Sequence, residues 1–238
     1  MSQSTREVRA ARLDAAEVRA TDQEDGPGTL EFTGHAAVFD SRTWIGPPRW
    51  GWHEEIARDA FSDVLEDDAA FLVNHDPNIL LARNPSTVDL AQDATGLRTD
   101  ARWDAADPEA IMWAGRVRRG DITQMSFAFE IAEERWSETD DGSAEVRTIV
   151  KVRRLWDVSL VTYPAYPSTD GAMRSAGVLD VLARHRHVDP ELVRRAAAAG
   201  QLAQALDDTL DRRAARARED LARRAATLRR DRRGAPVT

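Results

Sequence analysis

Serine, histidine and aspartate, suitably arranged, would let this chain do covalent chemistry. It has no cysteine in 238 residues. That removes a thiol nucleophile, a cysteine zinc site and a disulfide framework. The five histidines are His35, His53, His75, His185 and His187. No pair among His35, His53 and His75 stands at a ligand-like interval, so neither a metal nor a cofactor is expected. A hydroxyl nucleophile remains. The candidate is Ser126, within "TQMSFAFEI" at 123–131. On composition alone it reads first as an ordinary small residue on a solvated strand face. To attack a carbonyl it needs a base for its proton, and the base needs an orienting partner.

The local pattern says what could position such a set. Met125, Phe127, Phe129 and Ile131 alternate with Gln124, Ser126, Ala128 and Glu130, the period of a half-buried strand. A polar turn, "ETDDGSAE", follows, and then a long strand at 146–163. With Asp141–Gly142 as a two-residue hairpin turn, Phe127 faces Trp156, Glu130 faces Arg153 and Ser126 faces Asp157. Directly opposed Cβ atoms are only ~4.5–5.5 Å apart, too close to admit an imidazole between them. A bulge or a longer turn is therefore expected to make Ser126 and Asp157 diagonal neighbours. His75 ends the apolar strand "AAFLVNHD" (69–76), where a cleft can open. Its neighbour Asp76 points the other way on an extended strand, which leaves Asp157 as the better orienter. His185 and His187 lie in an arginine-rich tail.

Other elements follow from turn and cap signals. Residues 1–28 are polar and read as a flexible segment. A first strand covers 29–39, and an ordered loop with Trp44, Trp50 and Trp52 follows. Asp59 can cap a short helix carrying Phe61, Val64 and Leu65. A hairpin spans 87–103 around Ala94–Gly96. Asp107–Pro108 starts a helix with Ile111, Ala114 and Val117 on one face, and Gly120 stops it. About seven short strands with two or three helices predict a mainly β fold with flanking helices (α+β), closed into a barrel. The barrel domain is placed at 29–170, a linker at 171–188 and a helical basic extension at 189–238. In that extension a thin stripe at 202, 206, 210, 214, 217, 221, 225 and 228 is half alanine, and Gly200 can interrupt it.

The charge is asymmetric. The net of −8 combines 19 basic and 32 acidic residues over 1–179 with 14 and 9 over 180–238. The acidic body is a poor DNA binder, and nine acidic residues interleave the basic tail, so nucleic acid is not the expected partner. The first twenty residues lack the apolar region of a signal peptide, and no apolar run is long enough to cross a bilayer.

"GHAAVFDS", "HEEIARDAF", "NHD" followed by "LAR", "GLRTDARW", "MSFAFEI" and "LWDVSLVTYPAYP" occur in this order. Together they resemble the phage prohead maturation protease family, which is similar to the herpesvirus assemblin-type serine proteases. The resemblance covers roughly 30–170. It implies an assemblin-like barrel and a serine endopeptidase with Ser126 as nucleophile, His75 as base and Asp157 as third member. Assemblin itself carries a second histidine in the third role, which this chain lacks. The resemblance also implies the substrates: scaffolding protein, or a scaffolding segment of the major capsid protein, and the protease's own termini. It places the action inside an assembling procapsid in the host cytoplasm. Assemblin-type enzymes further suggest a homodimer. The C-terminal helix would then dock to capsid or scaffold protein. The competing expectation is a catalytically inactive structural or scaffolding protein of the same fold.

Overall fold

The computed structural model describes residues 6–12, 17–23, 26–46, 49–163, 176–212, 214–215 and 218. Contacts divide the chain into two units, Met1–Asp180 and Val181–Thr238. The first holds two sheets. The larger carries β1 (Glu7–Arg12), β4 (Thr43–Ile45), β5 (Trp52–Ile56), β6 (Ala70–Val73), β7 (Asp76–Arg83), β10 (Gln124–Glu138) and β11 (Glu145–Leu160). The smaller runs β2 (Glu17–Gln23), β3 (Gly26–Val38), β9 (Gly96–Asp104) and β8 (Val88–Gln92).

The closed barrel expected from the sequence does not form. β11 is long enough to take two parallel neighbours in turn: β5 along Val146–Ile149 and β6 along Asp157–Leu160. The large sheet therefore forks. One branch ends at β4 and the other at β7, and neither returns to pair with β1 at the opposite edge. The apolar faces are buried by stacking the two open sheets instead. Phe32 of β3 packs edge-on against Phe71 of β6 at 5.1 Å and stacks on Trp103 of β9 at 5.4 Å. Phe127 and Phe129 of β10 join the same core with Phe61.

Local expectations fare unevenly. The 87–103 hairpin is β8–β9, turned at Asp93, whose Oδ1 accepts from the Thr95 and Gly96 amides at 2.7 and 3.0 Å. α1 (Pro108–Arg118) is capped by Asp107, which accepts from the Glu109 amide, and ends before Gly120 at φ 76°. Its inward face is Ala110, Trp113, Ala114 and Val117, while Ile111 is half exposed. The face is turned from the one expected because Trp113, the largest apolar side chain available, takes the buried place. Residues 58–66 form consecutive turns instead of a helix, yet they still bury Phe61 and Val64. β1 and β2 lie in the segment read as polar and without strands.

Among its described residues, the second unit contains the end of α2 (Ala176–His185), then α3 (Pro190–Ala198) capped by Asp189, then helical residues 202–212 after Gly200 at φ 69°. Most of the stripe beyond 212 lies outside the described residues. No described helix is long and apolar enough to cross a membrane.

Candidate active site

β10 and β11 form the floor of the site. Near the turn their register is the one the hairpin predicts, with Ile131 opposite Val152 and Trp136 opposite Arg147. Four irregularities between Ala128 and Glu134 then shift it. By the far end Ser126 faces Ser159, and Asp157 faces Ala128. Ser126 and Asp157 are thus diagonal neighbours on one face. Met125, Phe127, Val158 and Leu160 fill the core on the other. The bulging expected from the spacing is present, and it gives the diagonal relation and wider gap that an imidazole requires.

His75 enters from a different hairpin. Asn74 and His75 form the two-residue loop between β6 and β7, and both have positive φ, 51° and 58°. Two consecutive left-handed residues are the signature of a tight hairpin turn whose twist matches its strands. Asn and His tolerate that conformation better than β-branched residues. The turn is tied to the end of β11. The Asn74 amide donates to Leu160 O at 2.8 Å, and Asn74 Oδ1 accepts from the Thr162 amide at 2.9 Å. Because β6 runs parallel beside β11, this turn delivers the imidazole over the Ser126 face. Asp76 is turned to its own loop and accepts from the Asn78 amide at 2.9 Å.

The three side chains singled out in the sequence meet. His75 Nε2 lies 2.7 Å from Ser126 Oγ, and Nδ1 lies 2.6 Å from Asp157 Oδ1. Asp157 is 2% exposed at its side chain, and a buried carboxylate must find donors. It finds two besides His75. Ser159 Oγ donates to Oδ1 at 2.7 Å, and Arg6 reaches Oδ2 at 2.6 Å. Ser159 Oγ is also 3.3 Å from His75 Nδ1. Such a chain can pass a hydroxyl proton to an imidazole held in one tautomer by a carboxylate.

Two features were missed in the sequence. Ser159 shares the face of Asp157 by strand parity alone, so that signal was present. The strand β1 was not legible. It pairs with β10 with Ala10 opposite Ser126, and Ser126 Oγ lies 2.8 Å from the Arg9 carbonyl oxygen, to which it donates. Beside it four buried charges close a ring. Arg9 bonds Glu54, at 2.9 Å to Oε2, and Glu7, at 2.7 Å. Arg147 bonds Glu7 at 2.9 Å and Glu54 at 2.8 Å. Burial would raise the Glu54 carboxyl. The charges of Arg9 and Arg147 outweigh it and push the group down to about 2. Burial likewise works against the charge of Arg147, and Glu54 and Glu7 more than restore it.

No curated protein matches this chain. Among solved structures, the bacteriophage T4 capsid assembly protease gp21 is similar at 13% sequence identity and a TM-score of 0.46, over 68% of this chain and all of that one. A family model described as caudovirus prohead serine protease matches residues 14–181, well over half of the chain. The chain belongs to the caudovirus prohead serine protease family.

Proposed function

We propose that the chain is a serine endopeptidase in which Ser126 is the nucleophile, His75 the general base and acid, and Asp157 the orienting carboxylate. The observation that carries this reading is the single imidazole bridging Ser126 Oγ and Asp157 Oδ1. Ser126 Oγ attacks the scissile carbonyl while His75 Nε2 takes its proton. His75 then gives the proton to the leaving amine, and water repeats the sequence on the acyl-enzyme. Asp157 stays ionised and holds the ring. The substrates are scaffolding protein, or a scaffolding segment of the major capsid protein, and the chain's own termini, within the assembling procapsid. The basic segment 189–238 serves to dock the enzyme to scaffold or capsid protein.

Co-expression with the cognate capsid protein tests the reading. Processing is expected with the unaltered chain and absent with Ser126→Ala. Processing that persists with Ser126→Ala, or is absent from both, overturns it. Deleting 180–238 is expected to abolish incorporation into procapsids, and unchanged incorporation removes the docking role.

A further inference from the structure

A scissile carbonyl has to come within about 3–3.5 Å of the attacking oxygen, yet Ser126 is 1% exposed. The main chain already lying there is the chain's own β1. It pairs antiparallel with β10 over Glu7–Arg12, and the Arg9 carbonyl takes the hydrogen-bonding place at Ser126 Oγ. A serine hydroxyl has one proton. It cannot serve the Arg9 carbonyl and His75 Nε2 together, so the strand competes with the base for that proton. The family match begins at residue 14, so β1 stands ahead of the matched region.

Glu7 and Arg9, two apart on one face of β1, are held by two residues of the body. Arg147 takes the Glu7 carboxylate with both terminal nitrogens, and Glu54 takes the Arg9 guanidinium. Glu54 and Arg147 also bond each other at 2.8 Å. They remain a satisfied pair when β1 leaves, and they present one carboxylate and one guanidinium to whatever strand comes next. The motif alone does not cause the burial. The sequence Glu-Val-Arg-Ala at 7–10 recurs at 17–20, where Glu17 and Arg19 pair with each other in the open.

We propose that the edge of β10 beside Ser126 is a strand-receiving site for an extended peptide carrying Glu-x-Arg, read by Arg147 and Glu54. The chain's own Glu7–Arg12 is its resident occupant, which substrate must displace. Main-chain pairing supplies the hold and the two charged positions supply the selectivity. The arginine whose side chain meets Glu54 is the one whose carbonyl meets Ser126, so the bond cut follows that arginine. Ser126 Oγ adds to the arginine carbonyl carbon as its proton passes to His75. The C–N bond to the next residue breaks as His75 protonates the leaving amine. Water then hydrolyses the ester and restores the Ser126 hydroxyl. The cut rests on the proteolytic reading above, whereas the binding does not.

Two arms test this. The chain has no cysteine, so Arg12→Cys with Gln124→Cys, a register pair at one end of β1, creates a single reducible tether across the strands. Hydrolysis of a Glu-Val-Arg aminocoumarin amide by the oxidised chain is expected to be at least tenfold slower than after reduction. Equal rates overturn the proposal. The second arm needs no catalysis. A labelled peptide copying residues 5–14 is expected to bind the Glu7→Ala/Arg9→Ala/Ser126→Ala chain at least tenfold more tightly than the Ser126→Ala chain. The same peptide with alanine at its Glu and at the first Arg that follows it is expected to bind at least tenfold more weakly. Loss of either preference overturns the proposal. If the triple variant does not fold, the tether decides alone. Binding with both preferences but no cleavage by any form retains the strand site and sinks the proteolytic reading. Capsid processing that depends on Ser126, without the peptide preferences, does the reverse.

Discussion

Ser159 Oγ donates to Asp157 Oδ1 at 2.7 Å and sits 3.3 Å from His75 Nδ1. It therefore braces the carboxylate at the oxygen that holds the imidazole. Ser159→Ala removes a donor from a buried carboxylate, an effect of about 1.5–3 kcal/mol for a bond to a charged group. Ser159 is fully buried and its hydroxyl meets Asp157 and His75, so it acts as a positioning residue. The expected outcome is a fall in kcat of about tenfold or more with little change in KM. Ser159→Thr, which keeps the hydroxyl, is expected to recover most of it. A change confined to KM would contradict this role.

Asp157→Asn tests the orienting role separately. The amide keeps the shape but cannot fix the tautomer that leaves Nε2 free to take a proton, and in a well-studied triad that exchange costs about 10⁴-fold in kcat. A loss of at least about 10³-fold is expected, measured on peptide hydrolysis with folding checked by circular dichroism. A variant retaining a tenth of the activity would remove Asp157 from the triad.

The charge ring makes single and double substitutions differ in an unusual direction. Arg9→Ala leaves Glu7 and Glu54, both buried, facing Arg147 with one cation fewer, and breaking such a pair costs about 3–5 kcal/mol. Glu7→Ala with Arg9→Ala removes one charge of each sign and leaves Glu54 and Arg147 bonded. The double variant is expected to unfold at a higher urea concentration than Arg9→Ala alone. The reverse order would mean that the ring does not act as a unit.

The same ring sets an acid limit. The Glu54 carboxyl is held down to about 2 from an ordinary value of 4.5. Its lowered value means that its contribution is fully present above about pH 4.5 and is lost as the pH falls toward 2. A shift of this size corresponds to about 3 kcal/mol. Urea midpoints followed over that window are expected to fall more steeply for the unaltered chain than for Glu54→Gln. Parallel slopes would show that Glu54 is not the group responsible.

The geometry of the candidate site was legible where strand parity rules. Met125, Phe127 and Phe129 against Ser126 and Ala128 is a pattern that only a strand buries on one face and uses on the other. Asp157 followed from the same parity. The displaced register was not legible in detail, because residues such as Ala132 and Trp156 carry no mark that they will be the ones skipped. The fork of β11 was invisible because parallel pairing with β5 and β6 depends on contacts remote in sequence. β1 was hidden for a chemical reason. Glu7 and Arg9 read as solvated charges, and only Glu54 and Arg147, far along the chain, make their burial tolerable.

The bulged hairpin also carries a constraint on how the chain can vary. From Glu138–Glu145 to Met125–Leu160, β10 advances 13 residues while β11 advances 15. The difference is even, so the two strands end in the same facing relation in which they started, even though the bulges let Ile149, Val152, Leu155 and Val158, three apart, all reach the core. Inserting or deleting one residue between the turn and Ser126 makes the count odd. Either the phenylalanines and the hydroxyl then exchange sides, or the whole strand slips to avoid it. Length changes in this hairpin should therefore survive selection in pairs, and a library of one- and two-residue insertions between 131 and 138 should sort by that arithmetic.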